Sequence, residues 1–137
     1  MTADDILAAA RSLIGTPFRH QGRGPDGCDC AGLLVLLARA LGIPHEDVDG
    51  YSRRPSSGLL ESALESQPGL VRVTGAPQAG DFLLMRFTNA PQHLAVCGGD
   101  TLIHAWENAG KVCEHRFSPL WKARVVRIYR VKELNHE

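Results

Sequence analysis

The sequence predicts an α+β domain on three observations: two strongly patterned helices lead the chain, short β-like runs separated by turns fill its second half, and no segment repeats. With 137 residues, 44% of them apolar, it can bury a core of its own, and residues 1–137 read as a single domain.

Residues 3–14 read as the first helix, begun by Thr2, carrying acidic residues in its first turn and closed by Gly15 and Pro17. A loop over 15–29 follows, with four glycines and two prolines. Asp29 is the expected N-cap of a second helix that runs to Leu41, apolar on most faces, and stops at Gly42 with Pro44 just beyond. After a polar stretch from Glu46 to Ser57, a short helix is expected near Leu59–Ser66. Strands are expected at Asp81–Phe87, Gln92–Cys97, Thr101–Ala105, Lys111–His115 and Arg124–Val131, the first of them entered through the turn-rich segment Gly75 to Gly80. Short connections favour antiparallel pairing, so the helices should pack on one face of a small antiparallel meander or barrel-like sheet.

Composition excludes several classes of function. Fifteen basic residues balance fifteen acidic ones, and the basic residues are scattered apart from a modest cluster between Lys122 and Lys132, so no nucleic-acid partner is expected. The opening Met1-Thr-Ala-Asp-Asp-Ile-Leu is acidic and amphipathic rather than basic then apolar, which predicts no secretory signal and a protein cytoplasmic at synthesis. No segment approaches the roughly 20 apolar residues of a membrane helix, so no membrane insertion is expected. Four cysteines without a signal argue against a disulfide framework. Cys28, Cys30, His93, Cys97, His104, Cys113 and His115 could supply enough zinc ligands, but their spacing departs from paired Cys-x-x-Cys knuckles, so neither metal nor cofactor is expected.

The segment Gly27-Cys28-Asp29-Cys30-Ala31-Gly32 places a thiol where a polar loop becomes an apolar helix. Cys30 would sit in the first turn, where unpaired N–H groups and the helix dipole favour a thiolate. If Gly98 and Gly99 are the central residues of a hairpin turn, partners sum to 197 and His93 stands directly opposite His104 on one face. A three-residue loop would instead put the two histidines on opposite faces. In the first register, Cys30 is a nucleophile, His93 its base in a thiolate–imidazolium pair, and His104 the group that sets the His93 tautomer. The Cys30 N–H would assist the oxyanion, and the implied chemistry is acyl transfer, most simply amide hydrolysis through a thioester. Of the other residues, Cys97 reads as core and Cys113 as structural, Cys28 as a bystander or redox partner, and His115, His20 and His45 as solvated or loop residues. Trp106 and Trp121 read as core or rim aromatics, with Trp106 a candidate wall of the cleft.

Gly15-Thr-Pro-Phe-Arg-His-Gln-Gly22, Asp29-Cys-Ala-Gly-Leu33, Gln78-Ala-Gly-Asp81, His93-Leu-Ala-Val96 and Ile103-His-Ala105 together resemble the successive motifs of the NlpC/P60 cysteine peptidases. The Arg-His-Gln-Gly segment and the stretch from Trp121 to Val131 resemble the family's phage-tail branch. The resemblance implies a papain-like fold and a D,L-endopeptidase that cuts peptidoglycan stem peptides, typically between γ-D-glutamyl and diaminopimelate or lysine. Carried over by position, Cys30 is nucleophile, His93 base and His104 the third polar residue, and Asp29 helps receive the free amine of the stem peptide. Phe18 stands at a substrate-binding place where the family usually has tyrosine, and Ser52-Arg53 is faintly similar to a substrate-loop element. The same resemblance implies phage tail-tip partners and action in the periplasm or cell wall. A non-catalytic tail-assembly module and a related thiol amidase or acyltransferase are the alternatives.

Overall fold

The structure is a computed structural model and describes residues 1–47, 59–87, 90–132 and 134. Helix α1, Ala3–Ser12, opens with a capping box in which Thr2 and Asp5 satisfy each other's backbone N–H groups, and it buries Ile6, Leu7 and Ala10. It ends two residues before the expected limit, because the chain turns at Gly15 (φ 94°), whose N–H bonds Val112 O at 2.9 Å. Residues Arg23–Gly24 (β1) and Gly27–Cys28 (β2) form a small antiparallel ribbon ahead of helix α2, Cys30–Leu41. The Asp29 carboxylate caps α2 by accepting from Gly32 N–H at 2.8 Å, and Gly42 ends it in the left-handed conformation at φ 70°. Helix α3 covers Leu59–Glu65.

Six further strands build one antiparallel sheet: Leu70–Val73 (β3), Phe82–Phe87 (β4), Ala90–Cys97 (β5), Thr101–Trp106 (β6), Lys111–Arg116 (β7) and Val125–Val131 (β8). Their spatial order is β3-β8-β4-β5-β6-β7, so β4 to β7 form a meander and β8 returns past it to lie between β4 and β3. On one face, Leu84, Val96 and Ile103 pack against Ile6, Leu33, Leu37 and Leu60 of the three helices. Each such fully buried aliphatic side chain contributes about 1.5–3 kcal/mol. On the other face a smaller cluster forms from Leu83, Met85, Ala95, Cys97, Leu102, Phe117 and Ile128, closed by Trp121 of the one-turn helix α4, Pro119–Lys122. At the start of β4 the fully buried Asp81 carboxylate is gripped by Arg130 of β8 through two hydrogen bonds of 2.7 and 2.9 Å.

Candidate active site

Glycine brings the loop before α2 close to the helix start. A Cβ on Gly32 would run into Gly22 O and lie 3.0 Å from an Arg23 guanidinium nitrogen, so the helix accepts only glycine there without a shift. Asp29 is 3% exposed and its carboxylate is drawn on from three sides: Gly32 N–H, Gln21 N–H at 2.7 Å and Arg23 at 3.0 Å. Gln21 has φ 59°, a left-handed conformation that is uncommon outside glycine, and the turn it makes delivers that N–H. Asp29 is therefore both helix cap and organiser of loop 19–23.

Cys30 follows as the first residue of α2 and is partly exposed. Burial pushes the thiol up to about 12, reinforced by the negative charge of Asp29 and opposed by the backbone N–H groups of Leu94 and Ala31 and by Arg23. The helix end thus acts in the expected direction, but desolvation outweighs it. Burial thus weighs toward a resting thiol and against the thiolate of an ion pair. The Leu94 N–H, which favours a negative charge on the Cys30 sulfur, belongs to the β5 residue that follows His93.

The histidines lie on neighbouring strands but not in the expected register. Val96 pairs with Ile103 and Cys97 with Leu102, so partners sum to 199 and the turn is centred on Gly99-Asp100, with Gly99 at φ 89°. Gly98 instead pairs onto Thr101 by a 2.8 Å backbone bond, and a Cβ there would run into the Thr101 hydroxyl. The slip is two residues, and a slip of two preserves the face. His93 and His104 become diagonal rather than opposed neighbours, ring centroids 4.9 Å apart, and His93 Nε2 lies 2.6 Å from His104 Nδ1.

Both rings are buried, at 5% and 0% exposure, and no acid stands among the groups that influence them. Burial lowers His93 to about 3, and burial together with the two neighbouring imidazoles lowers His104 as well. Both are neutral at physiological pH. Phe87 stacks on the His93 ring at 4.7 Å and 14°, and Trp106 stacks on His104 at 5.5 Å and 14°, with Trp121 edge-on to His104. Trp106 is therefore a wall of the histidine row. Phe18 is half-buried at the edge of the helix-side core, its backbone tied to Gly110 O at 2.8 Å and bridged to Cys28. Ser52 lies outside the described residues. Cys28, Cys97 and Cys113 are free thiols, Cys28 and Cys97 fully buried.

Sequence reasoning set His115 aside as a solvated or loop residue. It sits on β7, where its Nε2 lies 2.8 Å from His104 Nε2 and its Nδ1 lies 2.9 Å from Arg116 O. The signal was present in the spacing, since 93, 104 and 115 are eleven apart; with partners summing to 199 across β5–β6 and to 217 across β6–β7, each neighbouring pair is displaced by two residues and so keeps one face. His104, Cys113 and His115 also offer ligand atoms within 4.8 Å of one another, the spacing a metal ion could use. Two imidazole ligands of a tetrahedral zinc stand about 3.3 Å apart. At 2.8 Å the His104 and His115 nitrogens hydrogen-bond to each other instead.

The NlpC/P60 family profile matches residues 15–130. The chain belongs to the NlpC/P60 family. Among curated relatives it is 23% identical over 127 residues to the probable peptidoglycan endopeptidase LytE of Bacillus subtilis, covering 90% of this chain and 33% of that one. It is 28% identical over 115 residues to a probable endopeptidase of Corynebacterium glutamicum, covering 83% of this chain and 48% of the relative. This NlpC/P60 chain thus spans between a third and a half of the length of those relatives. Among solved structures, an NlpC/P60 protein of Bacillus cereus superimposes with TM-score 0.70 at 20% identity, over 93% of this chain and 39% of that one. The NlpC/P60 domain of the peptidoglycan hydrolase SagA does so with TM-score 0.63 at 26% identity, over 93% and 97%. The α+β architecture described above is the NlpC/P60 fold. Among the described residues no helix is long and apolar enough to cross a membrane.

Proposed function

We propose that residues 1–137 act as a cysteine peptidase domain that hydrolyses peptidoglycan stem peptides, with Cys30 as nucleophile, His93 as general base and His104 as the group that orients His93. The observation that carries this reading is the 2.6 Å bond between His93 Nε2 and His104 Nδ1, with the N–H of the residue after His93 favouring a negative charge on the Cys30 sulfur. The His93 ring gives Nε2 to His104, so Nδ1 is the nitrogen that receives the thiol proton. Because Cys30 and His93 rest as a neutral pair, proton transfer accompanies attack: sulfur bonds to the scissile carbonyl carbon as His93 Nδ1 takes the proton, and the oxyanion is met by backbone N–H at the start of α2. His93 returns that proton to the departing amine, leaving a thioester that water, deprotonated by the same imidazole, hydrolyses.

The names of LytE and SagA support peptidoglycan as the substrate class. Family resemblance supports the γ-D-glutamyl bond to diaminopimelate or lysine as the bond cut, and the segments 19–22 and 121–131 support a phage-tail setting with tail-tip partners. By resemblance, Asp29 and Phe18 are assigned to recognition of the amine end of the stem peptide and Ser52 to a substrate-loop element, and Trp106 is assigned to the cleft wall. The test is digestion of defined muropeptides and stem tripeptides by the wild type beside Cys30→Ser, with products read by mass spectrometry. Cleavage at the γ-D-glutamyl bond by the wild type alone is expected. Equal product from both proteins would remove Cys30 from the reaction, and no product from either would favour the assembly role.

A further inference from the structure

We infer that His115 is a positioning residue, whose bond to His104 sets the direction of a three-imidazole chain and so leaves His93 Nδ1 with a free electron pair. The inference rests on the proposed roles of Cys30 and His93. It follows from three contacts taken in order from the surface inward.

Arg116 O can only accept, so the 2.9 Å contact requires His115 Nδ1 to carry a hydrogen. In the neutral ring Nε2 is then an acceptor. The 2.8 Å contact with His104 Nε2 therefore requires the hydrogen on His104 Nε2. His104 is fully buried and held neutral, so its Nδ1 has no hydrogen and accepts. The 2.6 Å contact then requires the hydrogen on His93 Nε2, and in neutral His93 that leaves Nδ1 as the base. One backbone carbonyl on β7 thus fixes the tautomer of a ring two strands away. The chain needs no rearrangement when His93 takes the thiol proton, because Nε2 goes on donating to His104 while Nδ1 becomes the second N–H.

Without an acceptor at position 115, His104 can carry its hydrogen on Nδ1 and donate to His93 Nε2, which moves the His93 hydrogen to Nδ1 and removes the base. Packing alone does not predict this, since Trp106 and Trp121 would hold the rings in place either way.

The test is histidine-selective 15N NMR on the full chain, recorded with and without EDTA, for wild type, His115→Phe and His115→Gln, together with steady-state hydrolysis of a stem peptide. The expected wild-type spectrum has His93 protonated only at Nε2. His115→Phe should show both His93 tautomers and lose up to about tenfold in kcat, the population change that one lost hydrogen bond permits, with KM unchanged. His115→Gln, which keeps an acceptor oxygen, should restore the single tautomer. A wild-type His93 protonated at Nδ1, an unchanged tautomer in His115→Phe, or a spectrum that EDTA alters at His104 and His115 would each overturn the inference. If His115→Phe does not fold, the wild-type spectrum still decides the direction of the chain. Absence of hydrolysis in the wild type would sink the proposed peptidase and leave the tautomer result standing.

Discussion

Asp81, just before β4, and His104 on β6 are both completely buried, yet one is held as half of an ion pair and the other as a neutral link in a chain of rings. Asp81 receives the planar guanidinium of Arg130 through two hydrogen bonds and a third from Gln78 N–H at 2.8 Å. The rings packed around His104 are imidazoles and indoles, the Cys113 sulfur lies nearby, and no ionised partner among the described residues acts on it, so nothing offsets the loss of water and the ring stays uncharged. A buried charge is kept where a counter-charge of matching geometry reaches it. A buried row of neutral donors and acceptors is kept where each hydrogen has one place to go, and that second solution has a direction, which is what acid–base chemistry needs.

The largest effect expected from breaking this contrast comes from Asp81→Ala, which strands the Arg130 charge and should destabilise the fold by about 3 kcal/mol in urea denaturation. The double change Asp81→Leu with Arg130→Met should recover most of that loss. If the double variant is as unstable as the single one, the pair is not chiefly an electrostatic unit.

A middle-sized effect is expected from pH. His93 is lowered in the folded state from 6.5 to about 3, so below pH 6.5 the unfolded chain takes up a proton that the folded chain refuses. Stability is therefore complete above pH 6.5 and falls as the pH drops toward 3, with a slope of up to about 1.4 kcal/mol per pH unit for each buried histidine titrating. Cys30 acts at the other end: raised from 9.0 to about 12, it loses stability as the pH climbs above 9, where only the unfolded thiol ionises. Thermal melts should give a plateau between about pH 6.5 and 9. His104→Leu should flatten the acid limb, and an unchanged limb would show that other groups drive acid unfolding.

The smallest effect is expected from Arg11→Ala, which breaks the pair between Arg11 and Glu114 at 2.9 Å, where the arginine is 46% exposed. Water screens that pair, so the melting temperature should hardly move, and less still in high salt. A drop approaching that of Asp81→Ala would contradict the distinction between screened and unscreened pairs.

How much was legible in the sequence differs between these regions for physical reasons. Helix α2 could be read to the residue, from Asp29 to Gly42, because caps and apolar pattern are local signals. The two histidines share a face in one of the two turn readings the sequence allows, because the parity of the hairpin loop decides it. Their register could not be read. Gly98 and Gly99 look alike in sequence but do different things: Gly99 takes the left-handed turn, and Gly98 is small because the Thr101 hydroxyl lies against it. Strands β1 and β2 are too short to carry a period, and β3 is a half-exposed edge of four residues, so none was anticipated. Helix α4 is a single turn for the same reason.

The sequence by itself determined the fold class, the helix that presents Cys30 and the family, since all three rest on residues close together in the chain or on ordered motifs. Only the tertiary structure decided the protonation of the site and the place of His115. Both depend on which groups exclude water and which strands lie side by side, and those are contacts between residues distant in sequence. A thiol at a helix end reads as a thiolate until its burial is known, and a third histidine reads as solvated until β7 is laid against β6.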